Sequence, residues 1–181
     1  ALLEKRSYQD FLRLAVQSRK NIIVSGPTGS GKTTFTKGLI LDIPPEERII
    51  TIEDAQELVL DRQPNHVRLY YSKAGQRQAS VTPKLILESC LRMRPDRILL
   101  AELRSDAAYY YLRNVNSGHP GSITSVHASS ARLAFEQPTL LVKESPGGRA
   151  LARGDIKSQP PLLVDIVVQL GVEHPRRVVE G

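Results

Sequence analysis

The chain contains little cysteine, few aromatic residues and no long apolar run. Its one cysteine, Cys90, excludes an intramolecular disulfide framework and fits a reducing compartment. No apolar stretch approaches the length of a membrane-spanning helix. Tryptophan is absent, and with three phenylalanines and six tyrosines the chain shows no obvious platform on which single-stranded nucleic acid could stack. The sequence also has no internal repeats and no low-complexity segments.

Positive charge is present but is not concentrated anywhere. Lysine and arginine total 25 and aspartate and glutamate total 19, which gives a net charge of +6 over 181 residues. Residues 1–90 carry 13 basic and 10 acidic side chains, and residues 91–181 carry 12 and 9. This even spread favours a solvated surface of mixed charge over a dedicated patch for nucleic acid or membranes. The length suits one domain with a substantial core.

The most informative segment is a glycine-rich loop between a strand-like apolar run and a helix-like run. It consists of Gly26, Pro27, Thr28, Gly29, Ser30, Gly31, Lys32 and Thr33. Glycine, four residues, glycine, lysine and then serine or threonine is the P-loop pattern. Residues 22–24 precede the loop and residues 34–41 follow it, so strand, loop and helix occur in the order that this pattern requires.

The residue types in this loop suit the binding of ATP or ADP together with Mg²⁺. The glycines let successive backbone N–H groups point inward at an anion. The helix that begins at about Gly31 directs its positive dipole end at the same phosphates. Lys32 can reach the β- and γ-phosphates, and the Thr33 hydroxyl can hold Mg²⁺. We therefore expect the nucleotide site to extend from Gly26 to Thr34.

Strand-like and helix-like segments alternate along the chain, which predicts an α/β fold with a mostly parallel sheet and helices on both faces. Strands are predicted at residues 22–24, 48–52, 57–60, 67–71, 97–101, 122–126 and 164–170, with a returning strand from 176. Residues 171–175 and 145–148 are predicted turns, and residues 73–80 a polar loop. Helices are predicted to begin near Tyr8, Thr34, Pro83, Ser105 and Ser130, and Pro138 should end or kink the last of them.

Ionisable residues follow three of the predicted core strands. Glu53 and Asp54 follow one strand, Glu102 follows the second and His127 follows the third. In open α/β sheets, ligands bind beyond the carboxyl ends of the strands. If these strands lie beside the P-loop strand, the four side chains face the same crevice as the phosphates.

Residues 97–102 have the form of a Walker B segment, in which an apolar strand delivers the carboxylate of Glu102 to Mg²⁺ or its water. We expect this strand to lie beside the P-loop strand, although a strand followed by a solvated acid is the alternative. Glu53 can orient or deprotonate the attacking water, or it can cap a helix. We expect Glu53 rather than Glu102 to act as the base. His127 can donate a hydrogen bond to the γ-phosphate or have a structural role.

Four arginines occur near the Walker B segment: Arg92, Arg94, Arg97 and Arg104. The planar guanidinium group suits an active site shared between subunits, because it stabilises phosphoryl charge. Ion pairs with Asp96, Asp106 or Glu88 are the alternative.

Four segments in order, GPTGSGKT, RIITIED, CLRMRPDRILLAELR and SGHPGSITSVHAS, resemble the Walker A, Asp-box, Walker B and His-box motifs of the type II/type IV secretion and pilus-motor ATPases. The similarity is greatest to the hexameric traffic ATPases of type IV secretion and conjugation. It extends from about Tyr8 to His127 and more weakly to Leu170. Ala101 stands where many members have glycine, and Pro138 falls in a stretch that members usually keep helical.

The resemblance implies a RecA-like P-loop NTPase domain over residues 1–181, corresponding to the C-terminal motor domain that follows an N-terminal domain in the family. It also implies roles: Glu53 is the Asp-box acid, Glu102 the Walker B acid, His127 the His-box histidine and Arg104 the arginine after Walker B. As a metal site it implies Thr33 and Glu102.

The function that the resemblance implies is Mg²⁺-dependent ATP hydrolysis that drives translocation or pilus assembly in a type IV secretion system. It further implies a homo-hexamer in the full-length protein, partners among inner-membrane secretion components, and a cytoplasmic location at the periphery of the bacterial inner membrane. Sequence-specific nucleic-acid binding is not expected. The alternatives are a nucleic-acid motor or packaging ATPase, a small-molecule kinase, and an assembly protein gated by nucleotide binding.

Overall fold

The computed structural model describes residues 2–3, 5–71, 83–116, 118–145, 164–173 and 176–180. These residues form strands and helices that alternate along most of the chain. In chain order the elements are α1 (Tyr8–Gln17), β1 (Ile22–Ser25), α2 (Lys32–Ile40), β2 (Ile49–Glu53), β3 (His66–Tyr70), α3 (Pro83–Cys90), β4 (Arg97–Leu100), α4 (Ser105–Asn116), β5 (Ile123–Val126), α5 (Ala131–Glu144), β6 (Ile166–Glu173) and β7 (Arg176–Glu180). A single 3₁₀ turn, Leu91–Met93, links α3 to the loop before β4.

The strands form one seven-stranded sheet in the order β3-β2-β4-β5-β1-β6-β7. β1 pairs in parallel with β5 on one side and with β6 on the other. Among the described strands, the β6–β7 pair is antiparallel and the others are parallel. The predicted mostly parallel sheet is thus confirmed. The expectation that β4 lies beside β1 is wrong, because β5 lies between them.

Helices cover both faces of the sheet, as predicted. Alternate strand residues point to opposite faces, so Ile23 and Ile50 join a core with residues of α3, α4 and α5. Ile22 and Ile49 join a second core with residues of α1 and α2. These two apolar layers hold the sheet from both sides. Because β1, β2, β4 and β5 run parallel, their carboxyl ends lie at the same edge of the sheet.

Three sequence-based predictions of local structure are wrong. Residues 57–60 do not form a strand, because the N–H groups of Glu57 and Leu58 donate to the carboxylate of Glu53 instead of to a neighbouring strand. Residues 171–173 continue β6 rather than starting a turn. Pro138 lies inside α5, so the expectation that it ends the helix is wrong, while the alternative of a kink stays a prediction; its ring is buried, so packing offsets the hydrogen bond that proline cannot donate.

Several predictions concern residues outside the described ranges. The polar loop at 73–80 and most of the turn at 145–148 belong to this group.

The predicted start of α5 is confirmed, since the Ser130 side chain accepts a hydrogen bond from the Leu133 N–H as an N-cap. In the part of the chain that the structure describes, no helix has the length and apolar content needed to cross a membrane.

Candidate active site

The P-loop connects the end of β1 to the start of α2 and is shaped by its glycines. Gly31 has a φ of +92°, a left-handed conformation that favours glycine. At Gly26 a Cβ atom would lie 2.6 Å from both the Leu170 carbonyl oxygen and Ser30 Oγ. Glycine is therefore needed at Gly26 for close packing and at Gly31 for backbone conformation. Together, these two glycines allow the loop to turn towards the position at which α2 begins, Lys32.

Lys32 lies folded against the loop that precedes it. Its ammonium group donates to the carbonyl oxygens of Gly26, at 2.9 Å, and Pro27, at 3.0 Å. The side chain is largely buried. Burial lowers the pKa of Lys32, and the nearby negative charge of Glu102 opposes that shift. A phosphate group placed on the loop would meet a cation that is already held at the site.

A chain of polar contacts leads from Lys32 across the sheet edge. Nδ1 of His127 lies 3.3 Å from Lys32 Nζ, and Nε2 of His127 lies 3.4 Å from Glu102 Oε1. Arg104 pairs with Glu102 at 3.0 Å and with Asp54 at 2.9 Å. The hydrogen bond to Glu102 is the main cause that raises the pKa of Arg104 above its ordinary value. The structure thus brings together the residues that follow β2, β4 and β5, as the sequence predicts.

Glu53 ends β2 but is turned into the protein. Its side chain is fully buried. One carboxylate oxygen accepts from the Thr51 hydroxyl at 2.9 Å, and the other accepts from the N–H groups of Glu57 and Leu58 at 2.8 Å each. These three donors fix the loop after β2. Because the carboxylate is fully buried, an attacking water would need an opening in the surrounding loop to reach it.

Glu57 is a site residue that the sequence reasoning missed. The hydroxyl of Thr33 lies 3.5 Å from Glu57 Oε2, within reach as a weak donor. Glu57 is exposed, and its backbone is held in place by Glu53. In the sequence, the only indication of this position is that Glu57 is the third acidic residue after the strand, four positions beyond Glu53. The prediction of a strand at 57–60 obscured this indication, because it assigned Glu57 to a β-ladder.

Among the described residues, no group of three or more histidine, cysteine or acidic side chains is positioned so that it could hold a metal ion. Mg²⁺ at phosphate sites keeps several waters and takes one or two protein ligands plus substrate phosphates. The hydroxyl of Thr33, with the carboxylate of Glu57 at 3.5 Å, fits that chemistry, and the carboxylate of Glu102 lies beyond His127 on the same edge of the sheet. Mg²⁺ bound there would supply charge neutralisation for the phosphoryl oxygens.

Only Arg104, of the four arginines singled out in the sequence, lies at this edge of the sheet. Arg97 begins β4, at the opposite edge, and is fully buried. Its guanidinium group pairs with Glu47, with 3.0 Å between Nη2 and Oε1. Arg92 and Arg94 precede β4 and lie towards that same opposite edge. Arg97 therefore pairs with an acid 50 residues away in sequence, and not with one of the expected partners, Asp96, Asp106 or Glu88.

Comparison with known proteins agrees with this geometry. The family model of type II/IV secretion system proteins matches residues 2–141. Type IV secretion system protein VirB11 of Bartonella henselae is 62% identical over 165 residues, covering 91% of this chain and 46% of that protein. The VirB11 protein of Brucella suis is 49% identical over 172 residues, covering 94% of this chain and 48% of that protein. The chain thus spans about half the length of these curated relatives.

Solved structures show the same fold. The VirB11 ATPase of the Brucella suis type IV secretion system, in complex with sulphate, superposes with a TM-score of 0.91 at 46% identity, covering 100% of this chain and 54% of that one. The pilus retraction motor PilT with bound ADP gives 0.69 at 24% identity, covering 92% and 48%, and supports the fold alone. The predicted α/β P-loop NTPase fold is confirmed. Because the family model covers most of its length and a relative is 62% identical over 165 aligned residues, this chain belongs to the family of type II/IV secretion system proteins.

Proposed function

We propose that this chain binds ATP or ADP with Mg²⁺ and hydrolyses ATP to drive translocation or pilus assembly in a type IV secretion system. The observation that carries the proposal is the chain of contacts from Lys32 through His127 to Glu102. A P-loop lysine that contacts the histidine after β5, and is connected through it to the acid after β4, is suited to phosphoryl transfer. That reaction depends on positioning and on electrostatic stabilisation.

The proposed nucleotide site runs from Gly26 to Thr34. Lys32 leaves its carbonyl partners for the β- and γ-phosphates, since its three donors cannot serve both at once. Thr33 holds Mg²⁺, and Glu102 and Glu57 hold waters of its shell. Electrostatic attraction between the Lys32 ammonium group and the phosphates favours this exchange of partners.

Two carboxylates compete for the role of orienting the attacking water. Glu102 lies in the contact chain with His127, where the γ-phosphate would approach Lys32. Glu53 is fully buried and accepts hydrogen bonds from three protein donors. This geometry favours Glu102 for the water and Glu53 for positioning the loop that carries Glu57. The reverse assignment, with Glu53 as the base, is the alternative.

His127 and Arg104 complete the proposed site. Once Lys32 has moved to the phosphates, the His127 ring loses its contact at Nδ1, and its Nε2–H can turn from Glu102 to donate to the γ-phosphate. Arg104 is held between Asp54 and Glu102, where its charge lies beside the Walker B acid. A neighbouring phosphoryl group would compete with these carboxylates for the guanidinium donors.

We further propose that the chain works as part of a homo-hexamer together with other inner-membrane components of the secretion system. The proposed location is the cytoplasmic side of the bacterial inner membrane, with peripheral association. The family resemblance and the name that the relatives share, type IV secretion system protein, support this proposal.

Removing the P-loop lysine tests the function directly. We expect Lys32→Ala to abolish detectable ATP hydrolysis and to weaken ATP binding strongly, because the proposed cation for the β/γ-phosphates is lost. Lys37→Ala is the matched control, since Lys37 lies on the same helix and the change removes the same charge. Phosphate release and equilibrium binding of ATP would be measured for both. Hydrolysis at the wild-type rate in Lys32→Ala would overturn the proposal.

A further inference from the structure

Gln169 is a buried polar residue that lies beside the candidate site but outside its chain of charged contacts. It is directly opposite Ser25, the last residue of β1, and Ser25 is opposite Val126, the last residue of β5. These three residues form one row across the sheet, at the carboxyl ends where the P-loop and His127 follow. Only 3% of Gln169 is exposed. Because burying an amide costs free energy unless it is hydrogen-bonded, its partners indicate what it holds in place.

The amide nitrogen of Gln169 connects β6 to the loop after β5. Nε2 donates to the carbonyl oxygen of Ala128 at 3.3 Å and to that of Leu170 at 3.3 Å. Ala128 directly follows His127 in the chain. In the sheet, β1 lies between β5 and β6. The loop that carries His127 is therefore tied to a strand on the far side of the P-loop strand.

The same amide reaches the P-loop through Leu170. A Cβ atom at Gly26 would lie 2.6 Å from the Leu170 carbonyl oxygen, so this oxygen packs closely against the first residue of the P-loop. Lys32 Nζ donates to the Gly26 carbonyl oxygen at 2.9 Å and lies 3.3 Å from Nδ1 of His127. Gln169 thus holds the backbone beside both of these partners of Lys32, at Gly26 and at His127.

We propose that Gln169 is a positioning residue for His127, which it holds at the distance from the P-loop that contact with the γ-phosphate requires. The proposal rests on the proposed function, since that function gives His127 this contact. Gln169 acts through the backbone and does not touch the phosphates itself. A misplacement of about 1 Å can slow a reaction about a hundredfold. A hydrogen bond that fixes the His127 loop therefore affects turnover more than it affects binding.

The donor end of the Gln169 amide can be removed without emptying the space that the side chain fills. Oε1 of Gln169 makes no hydrogen bond to any of the described residues, so Nε2 makes the contacts that tie the loop. Methionine is unbranched and flexible, and its thioether is not a donor. Gln169→Met therefore removes both hydrogen bonds and still fills the space, and Gln169→Leu repeats the test with a different side-chain shape.

Gln63 supplies a matched control at the opposite end of α2 from Lys32. It is fully buried, and its Nε2 donates to the carbonyl oxygens of Ile40 and Ile43 at 3.2 Å each. Its Oε1 likewise makes no hydrogen bond within the part of the chain that the structure describes. Gln63→Met thus removes the same two kinds of hydrogen bond as Gln169→Met, but from the carboxyl end of α2.

Single-turnover hydrolysis and Mg·ATP affinity would be measured for the wild type and these variants. We expect Gln169→Met to lower the hydrolysis rate about tenfold, because His127 is displaced but still present. Its ATP affinity should stay within about threefold, because Lys32 and the P-loop are unchanged. Gln63→Met should keep the wild-type rate. The melting temperature should fall by similar amounts in both methionine variants, since each loses two buried hydrogen bonds.

A double-mutant cycle shows whether Gln169 acts through His127. Gln169→Met should slow the wild-type chain, whereas on the His127→Ala background it should change the hydrolysis rate by less than about twofold. The reason is that the residue which Gln169 positions is then gone. A general loss of packing would instead slow both chains by the same factor.

The nitrogen-15 chemical shifts of the His127 ring provide a readout that needs no hydrolysis. They report which ring nitrogen carries the proton and which one accepts a hydrogen bond. These shifts should change in Gln169→Met and stay at their wild-type values in Gln63→Met. Comparison with the His127→Ala chain identifies the signals.

This inference and the proposed function fail in different ways. Unchanged ring shifts or a wild-type hydrolysis rate in Gln169→Met would overturn the role of Gln169, as would equal slowing by Gln63→Met or on the His127→Ala background. Hydrolysis at the wild-type rate in Lys32→Ala would overturn the phosphate site, whatever the ring shifts show. If the wild-type chain does not hydrolyse ATP, the proposed function fails, and the ring shifts alone decide whether Gln169 positions His127.

Discussion

Nζ of Lys32 lies 3.3 Å from Nδ1 of His127, and the other nitrogen of the same ring faces Glu102 at 3.4 Å. A protonated lysine can only donate, so Nδ1 must accept, and the ring proton then lies on Nε2, directed at Glu102. A neutral imidazole thus connects the cation of the P-loop to the Walker B acid. Binding of a nucleotide at Lys32 must break one end of this connection.

The first prediction concerns His127→Ala. Lys32 loses a competing acceptor in this variant, so Mg·ATP affinity should stay the same or rise by up to about threefold, while single-turnover hydrolysis should fall about a hundredfold. Equilibrium binding and rapid-quench measurements would separate the two effects. His119→Ala is the control, because His119 contacts the Pro95 carbonyl oxygen, away from the site. A parallel loss of affinity and turnover would contradict the proposed role.

The second prediction separates two acids of the loop after β2. Glu53→Gln should lower the free energy of unfolding by about 1 kcal/mol, because an amide satisfies the three donors around Glu53 less well than a carboxylate. Glu57→Gln should leave stability unchanged, since Glu57 is exposed. It should raise the Mg²⁺ concentration needed for ATP binding, because a charge near Thr33 is removed.

Glu102→Gln is the reference for these two variants. If Glu102 orients the water, this change should reduce single-turnover hydrolysis on the order of a hundredfold, and Glu53→Gln should reduce it much less. Denaturant titration, Mg²⁺ titration and single-turnover assays on all three variants determine which glutamate orients the attacking water. Full ATP binding and full stability in Glu53→Gln, combined with loss of hydrolysis, would instead establish Glu53 as the base.

The sequence predicts the parts of the site that depend on local patterns. The P-loop spacing fixes strand, loop and helix together, and acids after apolar strands indicate the binding edge of a parallel sheet. For this reason the sequence alone indicates Glu102 and His127 as residues of this edge. It also places Glu53 at the end of its strand, but the direction of the Glu53 side chain depends on the loop that it binds.

Features that depend on distant partners could not be predicted. The order of strands brings β5 between β1 and β4, and no local pattern encodes that order. Arg97 was interpreted as part of an arginine cluster at the site, yet its first position in β4 puts it at the opposite edge, against Glu47. The packing of α1 against α2 depends in the same way on a tertiary contact.

The third prediction concerns the buried Arg97–Glu47 pair. Arg97→Ala should lower the free energy of unfolding by about 3 kcal/mol, because the buried Glu47 then keeps only the partly exposed Arg19, at 3.4 Å, as its partner. Gly121→Ala should destabilise as well, since the Cβ would lie 2.7 Å from Arg97 Nη1 at a φ of +85°. Arg132→Ala, on an exposed pair, should change stability by less than about 0.5 kcal/mol. Denaturant unfolding measures all three, and equal values for Arg97→Ala and Arg132→Ala would contradict this account.

The fourth prediction concerns the thiol of Cys90, the last residue of α3, which is fully buried in the core that α3 shares with α4. Burial raises the pKa of Cys90 from 9.0 to about 12, because the thiolate is disfavoured away from water. The folded state then holds its proton at pH values where the unfolded state releases it. The resulting contribution to stability is complete below pH 9 and is lost as the pH rises towards 12, by up to about 1.4 kcal/mol per pH unit.

Comparing the wild type with Cys90→Ala isolates this effect, because other titrating groups are common to both chains. The difference in free energy of unfolding should be constant between pH 6 and pH 8. Above about pH 9 it should shift in favour of Cys90→Ala, which has no thiol to ionise on unfolding. The native thiol should also resist a soluble disulfide reagent at pH 8 and react only at the rate of unfolding. Rapid labelling of the native chain, or a difference independent of pH up to 11, would show that Cys90 is accessible to water.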